Sequence, residues 1–342
     1  MGAKRRSVTV WDVAEMAQVS AQTVSRVLNG RGYATEETRR KVLTAVDTLG
    51  YRPNAIGKSL RMTQSPVVGL VVADVGNPFY ARLHRALERE LRDSGLAVFL
   101  LNCDDDPDLE ARQLELLLSY RPTGLVLVPA AGSRFGEKDV AAFKNVVLVS
   151  RTLPNLSVPT VQTNESESFA IAAQELFDHG HQHIAAVLGR SSVSTTQLRE
   201  AGLDAAVARN PGCHADVIYT DGSAEAGRKA TTKFLRREHH KATGIVGFNG
   251  PITEGILEGI HDHGLRCPDD VSVVGFTDAG WMRATHPSIT SIAQPVEEFG
   301  HLAGQLMKEL VGGNAAVNKN HAVAPGVLVR RESVGFRRGE SL

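Results

Sequence analysis

Gln22 and Arg26 stand four residues apart in the stretch Ala21–Leu28. On a helix that spacing projects both from one face, with Ala21 and Ser25, while Val24, Val27 and Leu28 share the other. In the DNA major groove a glutamine amide pairs with adenine and a guanidinium with guanine. Ser20, Thr23, Ser25 and Asn29 add short hydrogen-bond donors of the kind that hold phosphates. The chemistry on offer is base reading, not catalysis. No GxSxG or HExxH pattern occurs, and Gly247-Phe248-Asn249-Gly250 is not the GxGxxG of a dinucleotide fold. The run His179-Gly180-His181-Gln182-His183 ends a predicted helix and begins a predicted strand, where alternation keeps the three imidazoles off a single ion. Cys103, Cys213 and Cys267 are odd in number and lack CxxC spacing, so neither a disulfide framework nor a zinc site is expected. The sequence predicts no catalytic residue, no metal and no cofactor.

The elements that must position Gln22 and Arg26 are legible nearby. A first helix over Trp11–Ala17 is capped by Thr9, with Asp12 three residues on as a capping box. Gln18-Val19-Ser20 forms a tight connection, and Ser20 caps the second helix. A third begins after Thr35, with Glu36 and Glu37 at its positive end. It carries Val42, Ala45, Val46 and Leu49 at helical spacing and stops at Gly50. Three short helices with a three-residue turn between the first two predict a helix-turn-helix. From Val67 the pattern changes. Apolar strands (67–72, 97–101, 125–128, 146–149, then 184–188, 217–220, 245–248, 271–276) alternate with helices. The helices lie near 80–94, 108–121, 166–179, 195–208, 225–237 and 252–263. This predicts an α/β core of two doubly wound parallel sheets with a cleft between them. Ligands of such sheets sit at the carboxyl ends of the strands.

Composition sets the limits. The chain has 342 residues, enough for two or three domains, and 38 basic side chains against 38 acidic ones. Residues 1–62 hold eleven Lys/Arg and five Asp/Glu, a net charge of +6, so the remainder carries −6. A basic end on an acidic body suits a chain that touches a polyanion with one part only. No apolar run approaches the roughly 20 residues of a membrane span. Asp12 interrupts any signal-peptide core after Lys4-Arg5-Arg6, so a cytoplasmic location and no membrane partner are expected. A solute-binding transport protein would need such a signal and no helix-turn-helix.

The run Thr9-Val10-Trp11-Asp12-Val13-Ala14, then Val19-Ser20-Ala21-Gln22-Thr23-Val24-Ser25-Arg26-Val27-Leu28-Asn29 and Leu49-Gly50-Tyr51-Arg52-Pro53-Asn54-Ala55, closely resembles the DNA-binding domain of the LacI/GalR family of bacterial transcriptional regulators. Asn77-Pro78-Phe79, Gly180-His181, Arg199-Glu200-Ala201-Gly202, Val271–Phe276 and Ser288–Ile292 extend the resemblance over about residues 8–335. It implies a dimeric, ligand-gated repressor of pseudo-palindromic double-stranded operator DNA. The implied domains are a headpiece (1–52), a hinge helix and linker (53–66) and a periplasmic-binding-protein-like core (67–335). The first lobe would take about 67–162 and 294–320, the second about 163–292 and 321–335. By motif position Ala21, Gln22 and Arg26 read bases. Thr9, Tyr51, Asn54 and Lys58 join the DNA contacts, and Leu60, in the hinge helix, wedges into the minor groove. Gly57 departs from the family's usual alanine, which costs a helix about 1 kcal/mol. Only eleven residues follow Arg331, without a leucine heptad, so a homodimer is expected rather than a tetramer.

For the cleft, the resemblance implies a small-molecule effector, sugar-related, touching Phe79, Arg199, Asn249 and Gln294. Arg151 follows the strand 146–149 and is a second polar candidate. Ser150, Gly250 and Thr277 stand where sugar-binding members often carry aspartate. Loss of acids with retention of arginines predicts an anionic metabolite held by Arg199 with Arg151. The alternative is a regulator of the same fold that ignores small molecules.

Overall fold

The computed structural model describes residues 8–28, 33–51, 64–154, 156–236, 242–314, 320–323 and 325–337. The expected hinge helix lies outside these residues, with Asn54, Gly57, Lys58 and Leu60; so does Asn29. The chain divides into two compact units, 1–65 and 66–342.

The first unit holds three helices, α1 (Val10–Ala17), α2 (Ala21–Leu28) and α3 (Glu36–Leu49). The α1 capping box forms as the sequence predicts. Thr9 N–H donates to Asp12 Oδ2 at 2.7 Å, and Asp12 N–H to Thr9 Oγ1 at 3.4 Å. Gln18 closes α1 in the left-handed region, at φ 54°. Ser20 Oγ accepts from Thr23 N–H at 3.1 Å to open α2, and Thr35 Oγ1 accepts from Thr38 N–H at 3.2 Å to open α3. Gly50, at φ 60°, ends α3 as only glycine does without strain. Val13, Ala14, Ala17, Val24, Val27, Val42 and Ala45 form the buried centre.

The second unit consists of two lobes, each a six-stranded sheet among the described residues. The first sheet runs β11–β5–β4–β3–β1–β2, all parallel, from β1 (Val67–Val72), β2 (Ala97–Asn102), β3 (Gly124–Leu127), β4 (Val146–Val149), β5 (Thr160–Thr163) and β11 (Asn320–Val323). The second runs β12–β10–β9–β8–β6–β7, from β6 (His183–Leu188), β7 (His214–Tyr219), β8 (Gly244–Gly247), β9 (Ser272–Phe276), β10 (Thr290–Ala293) and β12 (Val327–Val329). Only β12 is antiparallel to its neighbour. Strands β3 and β4 are apolar and buried throughout, and β1 is so beyond Val67, because helices cover both faces.

The covering helices are α4 (Pro78–Leu91), α5 (Pro107–Ser119), α6 (Glu137–Phe143), α7 (Glu165–Asp178), α8 (Ser194–Arg209), α9 (Ala224–Leu235), α10 (Gly250–Asp262) and α11 (Val296–Val311). Helix α4 begins two residues ahead of the sequence expectation, because Asn77 Oδ1 caps Phe79 N–H at 3.0 Å and Pro78 fills the first turn. Helix α11 returns to the first lobe and packs on α4. Gly300 makes the approach possible, since a Cβ there would stand 2.4 Å from Ala86 Cβ and 2.8 Å from Leu83 O.

The chain passes between lobes after β5, after β10 and between β11 and β12. The last crossing corrects the expected boundary at residue 320, because β11 keeps its parallel pairing with β5 as far as Val323. No helix among the described residues is long and apolar enough to cross a membrane. No group of three or more His, Cys, Asp or Glu among them could hold a metal ion.

Candidate functional site

Helix α2 presents Gln22 and Arg26 to solvent, with Ala21, Thr23 and Ser25 half-buried beside them, while Val24 and Val27 point inward. The hydroxyls around it have structural partners. Ser20 Oγ and Thr23 Oγ1 lie 2.9 Å apart within the cap, and Thr9 Oγ1 donates to Asp12 Oδ2 at 2.6 Å. The Tyr51 ring packs partly buried on the helical core, and its N–H bonds Val46 O at 2.9 Å. Gln22 and Arg26 therefore stand on a preformed face, and Thr9, Ser20, Thr23 and Tyr51 help to build it.

The second site is a cavity of about 230 Å³ between the lobes. Its walls come from strand carboxyl ends, as open α/β sheets require. Asp74, Asn77 and Tyr80 follow β1, Asp104 and Asp105 follow β2, and Arg151 follows β4. From the second lobe, Arg190 and Thr196 follow β6, Asp221 and Ser223 follow β7, and Phe248 and Asn249 follow β8. Arg151 Nη1 donates to Asp105 Oδ1 and, at 2.8 Å, to Pro129 O. Burial pulls the Arg151 pKa down, but Tyr80 and Asp105 outweigh it and hold the guanidinium above its usual range. Asn249 serves the fold as well: Oδ1 caps α10 through Ile252 N–H at 2.7 Å, and Nδ2 donates to Gly222 O at 3.1 Å.

Of the expected effector residues, the cavity wall includes Arg151 and Asn249, and the others sit elsewhere. Phe79 is 6% exposed and stacks edge-on against Phe299, with centroids 5.8 Å apart. Phe79, Leu83 and Leu87 form an i, i+4, i+8 stripe on α4 that faces the core, so the aromatic that α4 brings to the cleft is Tyr80, one helical step round. Ser150 takes a left-handed φ of 66°, and its N–H bonds Val161 O at 2.9 Å.

Arg199 is 5% exposed. Its Nε and Nη2 donate to Glu165 Oε2 at 2.8 and 2.7 Å, and Nη1 donates to Phe248 O. The guanidinium lies between the rings of Phe248 and Phe276, 4.3 and 4.0 Å from their centroids. Burial lowers its pKa against the opposing pull of Glu165. Gln294 Nε2 donates to Glu165 Oε1 at 3.1 Å, and Thr277 Oγ1 donates to Gln294 Oε1 at 3.0 Å. Arg199, Gln294 and Thr277 thus form a buried network behind the wall, where the chain crosses between lobes at Glu165 and Gln294. The anion expected on Arg199 would share that guanidinium with Glu165. Both arginines already have carboxylate partners, and four aspartates line the cavity against two arginines. Asp74, Tyr80, Asp104, Asp105, Arg190, Thr196, Asp221 and Phe248 were missed by motif matching. Reading the residue types just beyond each predicted strand would have found most of them.

Residues 9–54 match the model of bacterial regulatory proteins of the lacI family, and residues 173–334 that of a periplasmic binding protein-like domain. Catabolite control protein A of Priestia megaterium is 30% identical over 88% of this chain and 92% of its own length. The chain belongs to the LacI family. The regulator GalR of Salmonella typhimurium is 29% identical, over 95% of this chain and 96% of its own. The lac repressor dimer bound to operator and an anti-inducer superposes with a TM-score of 0.82 at 26% identity, covering 96% of this chain and all of that one. As a LacI-family member the chain is a DNA-binding transcriptional regulator with a helix-turn-helix and a ligand-binding core.

Proposed function

We propose that the chain is a homodimeric repressor that reads a pseudo-palindromic operator with Gln22 and Arg26 and is controlled by a small polar metabolite in the interlobe cleft. The observation that carries this reading is the cleft itself, in which polar side chains from both lobes converge at strand ends. A ligand that bonds both walls favours one lobe arrangement over another, and differential affinity is what shifts a conformational equilibrium. The α2 face supports the operator reading, and the +6 charge of residues 1–62 supports contact with phosphates. Dimer formation has support in exposed apolar side chains at the open edge of the first sheet. Phe99 and Leu100 on β2 and Leu116 on α5 are 40%, 37% and 48% exposed, and Tyr120 lies beside them, its ring centroid 6.0 Å from that of Phe99. Such a patch marks an interaction surface.

Selection of bound sequences from random duplex DNA tests the proposal. The expected result is enrichment of an inverted repeat, with loss of enrichment in Arg26→Ala. Enrichment of no sequence would overturn it. Addition of metabolite pools to the same binding reaction then reads whether the cleft controls affinity.

A further inference from the structure

The cleft is acidic. Asp74, Asp104, Asp105 and Asp221 line it, and its two arginines both lean on Asp105. Arg151 bonds Asp105 Oδ1, and Arg190 Nε lies 3.8 Å from Asp105 Oδ2. Asp74, Asp104 and Asp221 form no ion pair among the described residues. Among the described residues, each accepts these loop and side-chain hydrogen bonds through one oxygen. Asp74 Oδ1 accepts from Gly76 N–H at 2.8 Å, and Asp104 Oδ1 from Asn102 Nδ2 at 2.5 Å. Asp221 Oδ1 accepts from Ser223 N–H and Oγ at 2.9 and 2.7 Å. The second oxygen of each carboxylate remains for a ligand. Although burial pushes its pKa up, the Ser223 bonds and Arg190 hold the Asp221 carboxyl below its usual range, so it is ionised near neutrality.

Ionised carboxylates accept hydrogen bonds and donate none, so the ligand must bring donors. Ammonium and hydroxyl groups both do so, but only an ammonium also offsets the negative charge. A separate observation calls for a polar ligand. Thr196 is fully buried, it lines the cavity, and its Oγ1 has no hydrogen-bond partner among the described residues. A buried hydroxyl without a partner is unfavourable, and a ligand hydroxyl or amine would satisfy it.

We propose that the cleft takes a small hydroxylated molecule carrying a protonated amine, held by Asp74 and Asp104 on the first lobe and Asp221 on the second. This rests on the reading of the cleft as a metabolite site. The arrangement also makes the ligand a tie between lobes, since its donors meet carboxylates on both.

The test is a thermal-shift screen of the full chain, followed by calorimetric titration, with matched triads of sugars. Each triad holds the neutral sugar, the amino sugar and the sugar acid, on several hexose and pentose scaffolds. In the triad that binds, the amine member is expected to bind about tenfold or more tighter than the other two. Asp221→Asn and Asp74→Asn should each weaken the amine member about tenfold and the neutral member by less than about threefold. A neutral or acidic member that binds tightest overturns the proposal and leaves the metabolite site standing. So do aspartate variants that weaken amine and neutral members alike. If no triad moves the melting point, the metabolite-site reading fails and the proposal falls with it.

Discussion

Arg26 and Arg199 carry the same charge in opposite surroundings. Arg26 is exposed on α2, one turn beyond Gln22, and its guanidinium is available to a base edge. Arg26→Ala is expected to cost about 1–3 kcal/mol per half-site on operator DNA and little on random duplex, measured by fluorescence anisotropy. Equal losses on both would mean that Arg26 touches only phosphate. Arg199 is buried against Glu165, so its removal strands a carboxylate that is itself about 2% exposed. Arg199→Ala should destabilise the core by about 3–5 kcal/mol in urea unfolding, and the double change Arg199→Met with Glu165→Leu should recover most of that. An unchanged unfolding midpoint for the single variant would refute the structural role. The contrast shows which residues the sequence could place. Gln22 and Arg26 were legible because one helix sets their spacing. Tyr80, Asp104 and Asp221 were not, because turns far apart in the chain bring them to one cavity. Phe79 was misplaced although its core role shows locally, in the stripe it shares with Leu83 and Leu87.

Among the elements, the strands that propensity revealed are β1 to β4 and β6 to β9, the apolar central strands together with the edge strands β2 and β7. Strands β5, β10, β11 and β12 escaped detection. They are three or four residues long, and pairing across distant chain segments defines them, as β11 with β5. Helix α11 was also missed, although it closes the first lobe. Its Gly300 gives an element-scale prediction. Alanine in a helix gains about 1 kcal/mol over glycine. Here the added Cβ would overlap Ala86 Cβ and stand 2.8 Å from Leu83 O and Leu87 N, backbone atoms that cannot turn aside. Overpacking costs about 1–3 kcal/mol and more against backbone, so Gly300→Ala should lower the urea midpoint of the core. A raised midpoint would show that α4 and α11 can separate without penalty.

The whole molecule sets its response to solution conditions. With six to ten phosphate contacts, operator affinity should fall about 10³–10⁵-fold between about 50 and about 200 mM salt. A flat salt profile would remove the electrostatic case for residues 1–62. Acid should act on the core through His181. Its Nδ1 lies 2.8 Å from Thr243 Oγ1 and its Nε2 3.0 Å from Gly335 O, tying the segment after β12 to the second lobe. Burial lowers its pKa, against the Gly335 bond that raises it, so the folded state favours the neutral ring. A pKa depressed on folding contributes stability above the unfolded value of 6.5 that is lost as pH falls through the folded one. The core's melting temperature should therefore drop on acidification below about pH 6.5, and His181→Gln should flatten that slope. The triple crossing between lobes has a consequence for the chain while it is being made. Neither lobe is one stretch of sequence: the first needs residues up to Val323, the second those beyond β12. The core around Val68, Leu70, Val126 and Val147 takes residues from both α4 and α11, and the α11 part, among it Phe299, Leu306 and Met307, is made only after the whole second lobe as far as β10. Until then α4 covers that side of the first sheet alone and leaves part of it open, so translation halted before Val296 should yield an intact headpiece joined to a sticky, chaperone-bound remainder.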